Sequence, residues 1–125
     1  MMKSVNKVIL LGNLTRDPEL RHTEGKKSVC AFGLATNRSW TTETGKQREE
    51  PEYHRLVAWD KLAEVCNTYL RKGRKVYVEG RLHTRSFTAK DGTEKAATEI
   101  VVAELVLLDP MPDTLREAVE FQKPE

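Results

Sequence analysis

Residues 52–87 read EYHRLVAWDKLAEVCNTYLRKGRKVYVEGRLHTRSF, and this stretch decides the fold. On a strand, side chains alternate faces with period two. Tyr53, Arg55, Val57 and Trp59 therefore share one face, with His54, Leu56 and Ala58 opposite. Leu62, Ala63, Val65, Cys66, Tyr69 and Leu70 then recur at helical spacing, with Asp60 as a possible cap and Gly73 as a fitting residue past the helix end. A second strand, Val76–Thr88, carries Arg81, Arg85 and Phe87 in one parity. Strand, helix and strand thus follow in immediate succession. Rings and guanidinium groups interleave on the strands at either end.

Working outward, Thr93–Leu108 reads as another strand, joined to the previous one by the hairpin signal Lys90-Asp91-Gly92. Toward the N-terminus, Val5–Leu14 reads as a largely buried strand, with Gly12 as a bend or bulge. Glu19–Thr23 is a candidate short edge strand, and Ser28–Thr36 alternates cleanly. Asn37–Pro51 is polar and reads as a long loop, with a turn at Thr44-Gly45; loops of that size are usually functional or mobile. Strand, strand, strand, helix, strand, strand is the order of a five-stranded Greek-key OB barrel, an all-β fold with one helix plugging the gap between the third and fourth strands. An unrelated small β-barrel or an α+β sandwich is the alternative at this point. The barrel is expected over residues 1–109. Residues 110–125 form a short tail in which Thr114-x-x-Glu117 has capping-box spacing for a marginal helix.

The chain has 125 residues, enough for one domain with a proper core. Its formal net charge is only +2, with the positive excess in residues 1–110 and an acidic balance after them. That distribution suits a polyanion partner without announcing one. Cys30 and Cys66 lack a C-x-x-C arrangement, so the sequence supports two reduced thiols and no metal site. The apolar run Val8–Gly12 is too short for a signal-peptide core or a membrane span, so a cytoplasmic protein is expected.

Four aromatics occupy positions that such a barrel presents to a ligand: Trp40, Tyr53, Trp59 and Phe87. Tyr53 or Trp59 taken alone would suit a half-buried strand. Trp40, in NRSWTTETGK, has little core to join, and Phe87 is flanked by Arg85, Ser86 and Thr88. Aromatic platforms stack any base, and interleaved cations neutralise phosphates, so the combination points to single-stranded nucleic acid. Catalysis finds no support. Gly25-Lys26-Lys27-Ser28 lacks the first glycine of a phosphate-binding loop, and His22, His54 and His83 assemble no nucleophile–base–acid set. No cofactor and no small-molecule substrate is expected.

The blocks VNKVILLGNLTRDPELR, Ser39-Trp40, YHRLVAWDKLAEVCNTYLRKG and VYVEGRLHTRSF, in order from residue 5 to residue 87, closely resemble the bacterial single-stranded DNA-binding protein family. The resemblance covers residues 1 to about 109. It implies an OB-fold homotetramer that coats and protects single-stranded DNA in replication, recombination and repair, nucleoid-associated in the cytoplasm. It carries the stacking role onto Trp40, Tyr53, Trp59 and Phe87. Tyr53 and Phe87 stand where tryptophans are common in the best-known members, and Trp59 stands where phenylalanine is. It carries phosphate contact onto Lys3, Lys7, Arg55, Lys61, Lys72 and Arg85, and a subunit-interface role onto His54. The resemblance lapses at the C-terminus. Family members usually continue into a Gly/Pro/Gln-rich linker and an acidic tip, whereas this sequence reads Phe121-Gln122-Lys123-Pro124-Glu125. Tail-mediated recruitment of replication and repair proteins is therefore not implied for it. An OB-fold accessory factor similar to primosomal replication protein N is the competing reading, and four ring platforms favour the coat.

Overall fold

The computed structural model describes residues 2–108. Its elements run β1 (Val8–Leu14), β2 (Glu19–His22), β3 (Ser28–Thr41), β4 (Gln47–Trp59), α1 (Asp60–Tyr69), β5 (Lys75–Thr88) and β6 (Glu94–Leu107). The sheet order is β1-β5-β6-β4-β3-β2, and β1 returns to β3 through Asn13↔Ala35 and Leu14↔Leu34. That seam closes five strands into a barrel. The short β2 occupies the rest of the same β3 edge, from Glu19↔Ala31 to His22↔Ser28. Strands β4 and β6 meet in parallel at Leu56↔Ile100 and Val57↔Val101. With α1 between the third and fourth barrel strands, this is the expected OB architecture. The tail expected over residues 110–125 lies outside the described residues.

Period-two alternation accounts for the core. Leu14, Phe32, Leu34, Leu56, Ala58, Val76, Val78, Ile100 and Val102 turn inward, and α1 adds Ala63 and Cys66. Each fully buried Leu, Val, Ile or Phe contributes about 1.5–3 kcal/mol. The inward parity on β6 changes, from even at Ile100 and Val102 to odd at Leu105 and Leu107. A bulge makes that possible: Glu79 faces Glu104 while Gly80 faces Val102, so Ala103 is extra. Gly80 sits where β6 comes closest, and a β-carbon there would run into the Val101 carbonyl.

Four local expectations need correction. The segment 37–51 is an arm of continuous hairpin and not a loop, paired without a break from Val29↔Trp59 to Thr41↔Gln47. Its turn is short, with Thr42 N–H donating to Lys46 O at 2.8 Å and Gly45 at φ 83°. An arm with water on both faces needs no apolar alternation, so the period-two signal vanishes where the strand leaves the barrel. The arm carries instead opposite charges across from one another, such as Arg38↔Glu50.

Gly12 makes no bulge. It pairs regularly with Val76, and its missing side chain admits the Ala35 carbonyl at the barrel seam. Asp60 is not the cap either. Trp59 holds that position without a side-chain bond, and Asp60 opens the helix at φ 57°. No residue separates β4 from α1, so the chain must reverse at one left-handed position, which Asp tolerates better than most residues. The helix ends on Leu70, and Gly73 lies further on at φ 88°. There its N–H donates to Leu14 O at 2.9 Å and its carbonyl accepts from Asn13 Nδ2 at 3.0 Å. Gly73 thus turns the chain into β5 against the end of β1.

Candidate nucleic-acid interface

Register and alternation gather five of the singled-out residues, Tyr53, Arg55, Trp59, Arg85 and Phe87, on one outer face. On β3 and β4, Val29, Ala31, Gly33 and Ala35 lie opposite Trp59, Val57, Arg55 and Tyr53. Val57 adjoins Val101 of β6, and from there Val101, Glu99, Ala97 and Lys95 lie opposite Arg81, His83, Arg85 and Phe87 of β5. Three rings stand out of this face: Tyr53 is 71% exposed, Trp59 41% and Phe87 38%. The β3 row beside Tyr53 and Trp59 is small, so a flat ligand can reach the ring faces. A cleft of about 590 Å³ opens along the same surface, with Arg16, Asp17, Gly33, Tyr53 and Arg55 among its lining residues.

Two cations hold fixed places among the rings. Arg55 Nε lies 3.5 Å and Arg85 Nε 3.3 Å from the same carboxylate oxygen, Glu99 Oε2. Both arginine side chains are about half exposed, while that of Glu99 is 7% exposed. The Arg85 guanidinium also lies 5.4 Å from the centroid of Phe87. Glu99 was missed in the sequence. A signal was there, because the Lys90-Asp91-Gly92 turn sets a register that brings Glu99 opposite His83, two positions from Arg85.

Trp40 is elsewhere. With no bulge between β3 and β4, its even number places it on the side of Thr36 and His54, away from Tyr53. It pairs with Arg48 on the arm, half-buried, with the Arg38 guanidinium 4.9 Å from its ring centroid. His54 is half-buried and shares a hydrogen bond with Thr36 Oγ1 at 2.9 Å.

The lysines are dispersed. Lys61 is exposed at the start of α1, and Lys3 is exposed ahead of β1. Lys72 is exposed after the helix, its backbone N–H donating to Asp17 Oδ1 at 2.9 Å. Lys7 lies 3.4 Å from Glu79, which also accepts the Tyr77 hydroxyl at 3.1 Å. The Tyr77 hydroxyl and then the surrounding donors hold the Glu79 carboxyl below the usual carboxylate range, and the same bond pushes the Tyr77 hydroxyl up. Among the described residues, no group of three or more His, Cys, Asp or Glu could hold a metal ion, and no helix is long and apolar enough to cross a membrane.

Residues 5–108 match the model of the Single-strand binding protein family. The chain is 49% identical over 109 residues to Single-stranded DNA-binding protein 1 of Chlorobaculum tepidum, covering 86% of this chain and 67% of that one. It is 44% identical over 105 residues to the Single-stranded DNA-binding protein of Neisseria meningitidis, covering 84% and 60%. The chain thus spans between about three fifths and two thirds of these relatives' lengths. Among solved structures, it is similar to the Plasmodium falciparum SSB in complex with ssDNA, at a TM-score of 0.77 and 36% identity over 87% of this chain and 99% of that one. A deletion mutant of the single-stranded DNA binding protein from Thermus aquaticus gives a TM-score of 0.73 and 35% identity, over 84% and 51%. With the whole barrel inside the family model and relatives 44% and 49% identical over most of the chain, the chain belongs to the Single-strand binding protein family.

Proposed function

We propose that this protein binds single-stranded DNA without sequence preference, coating and protecting it during replication, recombination and repair. The observation that carries the reading is the single outer face on which Tyr53, Trp59 and Phe87 stand exposed beside Arg55 and Arg85. Each ring can stack on a base whatever its identity, and each arginine can take a phosphate. Trp40 offers a further platform on the other side of the β3–β4 arm, so a bound strand that uses it must pass around that arm. Lys3, Lys61 and Lys72, exposed elsewhere on the molecule, are further phosphate contacts for a strand that wraps it, and Lys7 joins them once a phosphate competes with Glu79. Duplex DNA keeps its bases stacked inside, so preference for the unpaired state melts hairpins by mass action, with no catalytic step.

The same reading makes the protein a homotetramer, at work on DNA in the cytoplasm. Two features support assembly. The edge of β1 not paired to β5 meets β3 only at Asn13 and Leu14, leaving Val8–Gly12 open to a second copy. Around it, Ile9, Leu11, Val106 and Leu108 are exposed apolar side chains on β1 and at the end of β6. His54, near the base of the arm, is the proposed contact between subunits. His54→Lys should lower the mass measured by light scattering at sub-micromolar protein, and an unchanged tetramer would remove His54 from the interface.

Competition between single-stranded and duplex DNA of equal length tests the function. The protein should prefer the single strand by orders of magnitude, and its affinity should fall steeply with salt. Equal affinity for both would instead favour an accessory OB-fold module resembling primosomal replication protein N.

A further inference from the structure

Beneath the ring face lies an acid that neither stacking nor phosphate contact explains. Glu99 lies on β6, between β4 and β5 in the sheet, and its side chain is 7% exposed. A carboxylate here lowers the charge of a surface proposed to attract a polyanion, and taking it out of water carries a desolvation cost. A neutral residue would serve simple attraction better. The geometry indicates what the acid does instead. It receives Arg55 from one flanking strand and Arg85 from the other, each through Nε, on one oxygen. Contact through Nε leaves the terminal amino groups of both half-exposed arginines for a second acceptor. The Phe87 ring flanks the Arg85 guanidinium from another direction. Arginine loses rotamer freedom when it binds a phosphate, and an arginine already held has less to lose.

We infer that Glu99 is a positioning residue: it ties Arg55 and Arg85 across the middle strand, so that phosphates of a single strand meet two guanidinium groups already in place. The inference rests on the DNA-binding reading of this face. It also reverses the sign expected from charge alone, and that makes it testable.

Glu99→Gln is nearly isosteric and removes one negative charge. The experiment titrates the full chain and the variant with poly(dT) over a salt series, with thermal melting recorded alongside. Positioning predicts binding weaker by roughly tenfold, from two arginines that must now be ordered on binding. The slope of log affinity against log salt should stay as steep as in the wild type or become steeper, because both arginines still reach phosphates and no carboxylate opposes them. Charge alone predicts tighter binding. In an Arg55→Gln/Arg85→Gln background, Glu99→Gln should no longer weaken binding, and the lost negative charge should leave it equal or tighter. Equal or tighter binding by Glu99→Gln overturns the inference, as does an undiminished loss in the double-arginine background. If Glu99→Gln melts without cooperativity, Glu99→Asp decides, since it keeps the charge and shortens the reach. Weakened binding by Glu99→Asp supports positioning and wild-type binding refutes it. A wild-type chain that ignores poly(dT) takes both readings down, and the two failures cannot be confused.

Discussion

Removing the Tyr53 ring separates a binding platform from a core residue. Tyr53 is 71% exposed, on the outer face opposite Ala35. An enclosed aromatic buries about 150–250 Å², so with under a third covered roughly 60 Å² is at stake here. At about 25 cal/mol per Å² that surface stabilises the fold by at most about 1.5 kcal/mol. A buried aromatic cut to alanine costs about 3–5 kcal/mol. Loss of a stacking platform should cost about 1–3 kcal/mol of binding, or roughly 5- to 150-fold. Tyr53→Ala is therefore expected to unfold in urea close to the wild type and to bind poly(dT) markedly less tightly. Tyr53→Phe keeps the ring and should match the wild type in both. Full affinity in Tyr53→Ala together with destabilisation above about 3 kcal/mol would make Tyr53 part of the core and not a binding platform.

Three further outcomes follow from the barrel itself. Gly12→Ala should lower stability by about 1–3 kcal/mol, because its β-carbon meets the Ala35 carbonyl at the seam, whereas Gly25→Ala, with open space around it, should be nearly silent in thermal melts. Asn6 bridges Leu82, accepting its N–H at 2.9 Å and donating to its carbonyl at 2.8 Å; Asn6→Ala should cost about 1 kcal/mol and speed hydrogen exchange at Leu82. Burial pushes the Cys30 thiol from 9.0 to about 11, and burial with Cys30 nearby pushes that of Cys66 to about 12. The unfolded chain then releases these protons first, so this contribution is intact below pH 9.0 and is lost as the pH rises through about 11 and 12. Urea unfolding across that range should show the decline, and Cys30→Ala/Cys66→Ala should flatten it.

Where a face is buried, the fold was legible. Val29–Ala35, Tyr53–Trp59 and Val76–Val78 alternate because one side meets the core, and Leu62–Leu70 shows helical spacing for the same reason. The β3–β4 arm is not legible, because a hairpin solvated on both faces leaves no apolar pattern, and Trp40 on it looks like a loop residue in the sequence. The positive φ of Asp60 was hidden too, since it follows from the absence of any linker between β4 and α1. On the ring face, parity alone united Tyr53, Arg55 and Trp59 within one strand. Joining them to Arg85 and Phe87 required the order β5-β6-β4, a tertiary fact. Glu99 fell through for that reason: its partners come from two strands far apart in sequence, and only the assembled sheet brings them to one oxygen.

If the exposed rings meet unpaired bases, intrinsic tryptophan fluorescence reports the contact. Titration with poly(dT) at low and high salt, against duplex of equal length, should give strong saturable quenching by the single strand, little response to duplex, and an affinity that falls with salt. Absence of quenching at micromolar protein in low salt would mean that Trp59 and Trp40 do not stack on DNA and that the ring face is not a base-binding surface.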